Sequence, residues 1–222
     1  MLLCALDYKD AFAKFQLVIQ RYKERNIFLK LSKSWFGFDH AEFFGYFVQQ
    51  GSYKLTTERI KEVTAIPFPA GSNKLKKIQQ FLGCAVFFKS FIYNYSDKTA
   101  VLTEMTAKDF SWDPTTWKKD YIALFEAFKN DIIHSFTLFH PDYTLPWFLY
   151  VDASDVAVGG VLMQVTSEGE QQVVAFVSKK FTTSSIRWST IEKEAFAMFY
   201  TCTKLRYYLF AKKFTMLTDH NN

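Results

Sequence analysis

Trp147-Phe148-Leu149-Tyr150-Val151-Asp152-Ala153-Ser154-Asp155 is the stretch on which the fold turns. Residues 147–151 are an unbroken aromatic and β-branched run, the composition of a strand. The run closes on Asp152, a carboxylate that a strand interior holds only at high cost. Two more runs of strand length follow: the small and β-branched segment 156–165, and segment 172–178. Gly169 lies in the turn between them, so the three runs predict an antiparallel meander. Ser189-Thr190-Ile191-Glu192 then sets an acid three residues after a hydroxyl, a helix-start signature, and the helix should run to about Leu209. Segment 214–218 predicts a fourth strand, ending in Asp219. The pattern is β-β-β-α-β.

Working outward, residues 56–136 carry helical signals and little strand character. Thr56-Thr57-Glu58 opens a short helix that must stop before Pro67 and Pro69. After Gly71-Ser72-Asn73 a longer helix is expected, with Leu75, Ile78, Phe81 and Leu82 on one face. Two more should span 97–107 and 116–135, the last striped by Tyr121, Leu124, Phe125, Phe128 and Ile132. These four helices are expected to form a subdomain of their own. Residues 1–55 begin with a predicted helix over 12–25, in which Phe15, Val18, Ile19 and Tyr22 recur at helical spacing. Segments 27–31 and 42–49, separated by Gly37 and closed by Gly51, read as strands or a hairpin.

Composition narrows the function classes. At 49% apolar and 22% charged residues, the 222-residue chain can build a core, and global disorder is ruled out. No run approaches the roughly 18 apolar residues of a membrane span. The apolar opening 1–6 stops at Asp7, short of a signal-peptide core, so the expected location is intracellular, with cytoplasm and nucleus not distinguished. Cys4, Cys84 and Cys202 form no Cys-x-x-Cys pair, and His40, His134, His140 and His220 have no zinc spacing. Net charge is +5, which tolerates a nucleic-acid partner without demanding one. The 25 phenylalanines exceed any need evident from the sequence.

The chemistry concentrates in carboxylates. Asp152 and Asp219 each close an apolar strand, and the helix between them bears Glu192 and Glu194. A compact group of such acids repels itself unless a cation neutralises it, and all-oxygen ligation suits Mg²⁺ or Mn²⁺. Two ions about 4 Å apart can support phosphodiester cleavage. The same acids also serve widely as turn formers and helix caps. An apolar stripe of Ile191, Ala195, Met198, Phe199, Cys202 and Leu205 puts Glu194 roughly 70° to one side and Glu192 roughly 90° to the other, which favours Glu194 only slightly. Spacing alone leaves both readings open.

Residues 147–155, 158–164 and 175–180 resemble the ribonuclease H region of gypsy-type LTR retrotransposon reverse transcriptases, and residues 188–197, 204–209 and 213–220 continue the likeness. Upstream, Phe81-Leu82-Gly83, Phe91-Ile92 and residues 137–142 look like the thumb and connection, and residues 29–33 and 44–46 like the end of the palm. The resemblance implies an α+β fold in three parts: palm remnant 1–55, helical thumb and connection 56–136, and a ribonuclease H-like domain from 137, truncated at 222. Strand four should lie beside strand one, with helix 189–209 as crossover, an unpaired outer edge and one face of the sheet uncovered.

It also implies roles: Asp152, Glu194 and Asp219 as catalytic metal ligands, Mg²⁺ or Mn²⁺ as cofactor, and an RNA–DNA hybrid as substrate. Other parts of a retrotransposon polyprotein are implied partners, and no membrane. The family's Tyr-x-Asp-Asp polymerase motif is absent, since Leu6-Asp7-Tyr8-Lys9-Asp10 does not match it. A fourth acidic ligand would fall beyond Asn222. The expectation is therefore a fragment with impaired nuclease activity, or an inactive remnant that at most binds nucleic acid. Lys74, Lys76, Lys77, Lys179, Lys180, Lys212 and Lys213 are candidates for phosphate contact or for a solvated face. Trp112, Trp117 and Trp147 read as packing, and Trp188 as packing or a base or sugar contact.

Overall fold

The computed structural model describes residues 2–210 and 212–218. In chain order the elements are α1 (Tyr8–Glu24), β1 (His40–Phe43), β2 (Tyr46–Gln49), β3 (Ser52–Leu55), α2 (Thr57–Thr64), α3 (Lys74–Ala85), α4 (Tyr95–Glu104), α5 (Tyr121–Ile133), β4 (Leu138–Phe139), β5 (Trp147–Ala153), β6 (Ala157–Val165), β7 (Gln171–Lys180), α6 (Thr190–Leu209) and β8 (Thr215–Thr218). Single 3₁₀ turns lie at Leu31–Lys33, Val86–Phe91, Pro114–Thr116 and Ser185–Arg187. The fold is α+β with two four-stranded sheets, ordered β1-β2-β3-β4 and β7-β6-β5-β8.

The second sheet follows the sequence expectation closely. β5, β6 and β7 form the antiparallel meander, and Gly169 turns between β6 and β7 at φ +84°, where a side chain would be strained. β8 runs parallel to β5, with Val151 opposite Thr218, and α6 makes the crossover. The start of α6 is fixed by a reciprocal cap. The Ser189 hydroxyl accepts from the Glu192 N–H, and the Glu192 carboxylate accepts from the Ser189 N–H at 2.8 Å.

The face that α6 buries differs from the expected stripe. Ile191 and Phe199 are 64% and 67% exposed. The buried residues are Lys193, Glu194, Ala197, Thr201, Leu205 and Leu209. The reason is close approach: a Cβ on Gly160 would lie 2.5 Å from the Thr201 Cγ2. A helix this near a sheet must present Ala197 and Thr201 and turn its bulky residues aside.

The opposite face of the sheet, expected to be uncovered, carries α4. Strand alternation turns Gly159 away from Gly160, and a Cβ there would collide with the Asn94 side chain at the start of α4. The Ser96 N–H and hydroxyl meet the Ser178 Oγ at 3.1 and 2.9 Å, buried contacts that pin α4 to β7. One hydrophobic cluster joins α2 to α5 with Leu55, Leu138, Val161, Val173 and Phe176, so packing runs straight across the boundary expected at 136.

Three local expectations shift. α5 begins at Tyr121, where the Asp120 carboxylate accepts from the Ala123 N–H, because Pro114 starts a separate 3₁₀ turn capped by Asp113. Segment 27–31 is not a strand: it finds no pairing partner, and Phe28 is 93% exposed. The hairpin falls wholly within 40–49, where Phe44 and Gly45 both take positive φ and join β1 to β2 in a two-residue turn. β3 and β4 complete this sheet.

If Gly160 sets the helix–sheet distance, Gly160→Ala should destabilise the chain by about 1–3 kcal/mol, the usual cost of forcing extra volume into a packed core. Adding Thr201→Ser, which removes the opposing methyl, should recover part of that loss. Urea midpoints of the single and double variants check both, and additive effects would refute the close approach.

Candidate functional site

Each carboxylate singled out from the sequence has a distinct position. Asp152 is the penultimate residue of β5, opposite Gly159 of β6. Alternation groups it with Phe148 and Tyr150, whereas Leu149, Val151 and Ala153 pack into the cluster beneath α6. Glu194 enters from that α6 side and is only 5% exposed, so a carboxylate stands within the buried helix face. Asp219 lies outside the described residues. Within the described residues the parallel register reaches Val151 opposite Thr218. Among the described residues no three acidic, histidine or cysteine side chains gather into a metal-binding group.

Glu192 and Glu194, left open by spacing, separate in function. Both the backbone and the hydroxyl of Ser189 donate to the Glu192 carboxylate at 2.8 Å, and these bonds hold its pKa below the usual glutamate value. Glu192 is a cap. Glu194 is the acid aimed at the sheet.

The turn after Asp152 is tightly held. Ser154 Oγ donates to Asp97 Oδ1 at 2.6 Å and accepts the N–H groups of Val156 and Ala157 at 3.2 and 3.0 Å. Asp97 sits in the first turn of α4, so the helical layer grips the loop that follows the candidate ligand. Asp155 pairs with Lys193 Nζ at 2.9 Å, joining the same loop to the first turns of α6. Neither Asp97 nor Lys193 stood out in the sequence. Their partners lie 57 and 38 positions away, and no local signal marks such pairings.

Several side chains proposed for substrate are occupied by protein. Lys77 Nζ donates to the Ala70 carbonyl at 2.7 Å, and Lys212 Nζ to the Tyr143 carbonyl at 2.6 Å. Trp188 packs edge-on against Phe196 at 5.2 Å. His220 lies outside the described residues.

With this geometry in hand, comparison with known proteins is informative. Residues 117–216 match the family described as the RNase H-like domain found in reverse transcriptase. The Pol polyprotein of transposon 297 from Drosophila melanogaster is 32% identical over 205 residues, covering 92% of this chain and 18% of that protein. The Tf2-3 transposon polyprotein of Schizosaccharomyces pombe is 29% identical over 207 residues, covering 92% and 15%. The chain thus spans less than a fifth of either relative. A foamy viral protease-reverse transcriptase solved with RNA/DNA hybrid superposes with TM-score 0.76 at 18% identity, over 99% of this chain and 29% of that one. The same viral protein solved with dsDNA gives 0.71 at 20% identity, over 94% and 42%. At such identities the likeness is one of fold.

The fold is that of a reverse-transcriptase RNase H-like domain with the elements that precede it. Over most of its length the chain is similar to a segment of retrotransposon Pol polyproteins.

The cap offers a test of how α6 is held. Ser189→Ala should cost roughly 1 kcal/mol, as losing a helix N-cap does. Because Glu192 titrates below its ordinary value in the folded chain, its stabilising contribution is present above the unfolded pKa and lost as pH falls through the folded one. The difference between wild type and Ser189→Ala should therefore shrink on acidification from pH 7 to below 4. A pH-independent difference in urea midpoints would refute the reciprocal cap.

Proposed function

We propose that this segment, of the gypsy-type LTR subgroup, hydrolyses the RNA strand of an RNA–DNA hybrid in a divalent-metal-dependent reaction during reverse transcription. The observation that carries the reading is the topology at the end of β5. β5 carries Asp152 one residue before its end, the adjacent parallel strand β8 is followed in sequence by Asp219, and a buried glutamate arrives from the crossover helix. The donor set of Asp152, Glu194 and Asp219 is all-oxygen and suits Mg²⁺ or Mn²⁺. Bound there, a pair of such ions would activate water and stabilise the leaving oxygen. The chain's own contribution is placement. The Asp97–Ser154 bond and the Asp155–Lys193 pair hold the loop after Asp152, and the cap at Ser189 fixes where α6 begins and hence where Glu194 stands.

The complex of the foamy viral protein with RNA/DNA hybrid supports the substrate class, and the polyprotein relatives support other Pol segments as partners. Recognition would then read the hybrid's groove and 2′-hydroxyls rather than its sequence. No helix among the described residues is long and apolar enough to cross a membrane. Polymerisation is outside the proposal, because the chain contains no Tyr-x-Asp-Asp motif.

The test is cleavage of a labelled hybrid by the chain with Mg²⁺, Mn²⁺ or EDTA. Weak but metal-dependent release of RNA fragments is expected of this segment. Asp152→Asn and Glu194→Gln should each reduce it by more than the roughly 10–100-fold that losing an outer-shell partner costs. Both should also weaken Mn²⁺ binding measured by calorimetry. Failure to cut, with hybrid binding and Mn²⁺ affinity unchanged by both substitutions, would overturn the nuclease reading and leave a nucleic-acid-binding module.

A further inference from the structure

One flank of α6 takes no part in the site described above. Phe196, Tyr200, Lys204 and Tyr208 follow one another at intervals of four, forming a row about 18 Å long at 1.5 Å per residue. From β7, Lys179 reaches over this row, its Nζ 5.2 Å from the centre of the Phe196 ring and 5.1 Å from that of Tyr200. Lys204 lies over Tyr200 at 5.7 Å. Phe196 and Tyr200 stack on each other at 5.9 Å. Half-buried Lys89, on the turn Val86–Phe91, stands close enough to feel the Lys204 charge.

Three ammonium groups thus share one surface, and none forms an ion pair among the described residues. What sets the three apart is their grouping, since Lys179 and Lys204 lie over the same Tyr200 ring and Lys89 feels the Lys204 charge. Burial, with repulsion from Lys204 as the smaller cause, already holds Lys89 below the ordinary lysine pKa, so a neighbouring anion would relieve a standing cost. The aromatic rings hold the Lys179 and Lys204 ammonium groups in place by cation–π attraction. With those cations lying over it, Tyr200 is poorly placed to stack a base. The arrangement is built to meet charge rather than sequence.

We propose that Lys89, Lys179 and Lys204, seated on Phe196 and Tyr200, form a second contact for the phosphodiester backbone of an RNA–DNA hybrid, separate from the carboxylate site. A polynucleotide fits better than an acidic peptide, because a duplex holds its charges about 3.4 Å apart on a stiff path that meets the whole row, whereas a peptide must first be ordered to do so. The inference rests on the reading that a hybrid is the substrate, but its test excludes cleavage.

Binding of a fluorescent hybrid to the full chain is followed by anisotropy in EDTA across a salt series. The triple variant Lys89→Gln/Lys179→Gln/Lys204→Gln should bind about tenfold or more weakly at low salt, and the slope of log K against log salt should fall by about 2.7, roughly 0.9 for each phosphate no longer neutralised. The Lys→Arg triple should keep both affinity and slope. A control triple at the exposed Lys61, Lys108 and Lys118 should leave both nearly unchanged. If the Gln triple does not fold, as judged by circular dichroism, Lys204→Gln alone should lower the slope by about 0.9.

Wild-type binding by the Gln variants, an equal loss in the control triple, or equally tight binding of polyglutamate of matched charge would each overturn the proposal. A chain that binds through this surface yet never cuts would refute the nuclease reading and leave this one standing. A chain that cuts while the Gln triple binds normally would do the reverse.

Discussion

Two consecutive glycines in the central strand govern how the molecule is layered. Successive residues of a strand face opposite sides, so Gly159 and Gly160 open one gap on each face of the sheet. Thr201 of α6 enters the gap at Gly160, and Asn94 at the start of α4 enters the one at Gly159. Side chains at either position would push one helical layer off the sheet. The polar bonds nearby depend on this spacing, since Ser96 can reach Ser178, and Asp97 can reach Ser154, only while α4 lies close. A glycine inside a strand normally weakens it. Here the loss of strand propensity is offset by two interfaces made at close range.

The same pair explains which parts of the fold were legible. The meander, the crossover and β8 follow from period-two runs, a turn glycine and a capping signal, all of them local. The buried face of α6 was not local. Ile191 and Phe199 dominate any hydrophobic stripe drawn from composition, yet the small residues Ala197 and Thr201 turn inward because the glycine opposite leaves room only for them. The covered second face was missed for a related reason: the helices that cover it lie more than 50 residues earlier in the chain. Segment 27–31 has strand composition but no strand to pair with, so propensity without a partner misled.

The phenylalanine excess, unexplained by sequence, finds its place in the helical layer. Phe81 lies 4.3 Å from Phe125, Phe68 packs edge-on to Phe125, and Phe91 meets both Tyr46 and Tyr53 of the small sheet. Short helices of 8 to 13 residues supply few core positions each. Large rings let those few positions bury the area that longer helices would gain from more numerous aliphatic side chains. Stacking of Tyr46 and edge-on packing of Tyr53 against Phe91 join β2 and β3 to the turn Val86–Phe91, so aromatic rings tie the first sheet to the helical layer.

The candidate site shows what a strand end makes possible. Asp152 shares a sheet face with Phe148 and Tyr150, one residue before β5 ends, while Glu194 belongs to the layer on the other face. Within a sheet the backbone keeps two such groups apart, so a volume common to them exists only past the strand end. Asp152 and Glu194 were singled out from motif, because each motif is local. Their support was not, since it comes from Asp97 on one layer and Lys193 on the other. Those two interactions brace one three-residue loop from opposite faces of the sheet. Any rearrangement that loosened either layer would move the loop and, with it, the carboxylate at the end of β5. The layered packing set by Gly159 and Gly160 is therefore also what holds the candidate chemistry in register.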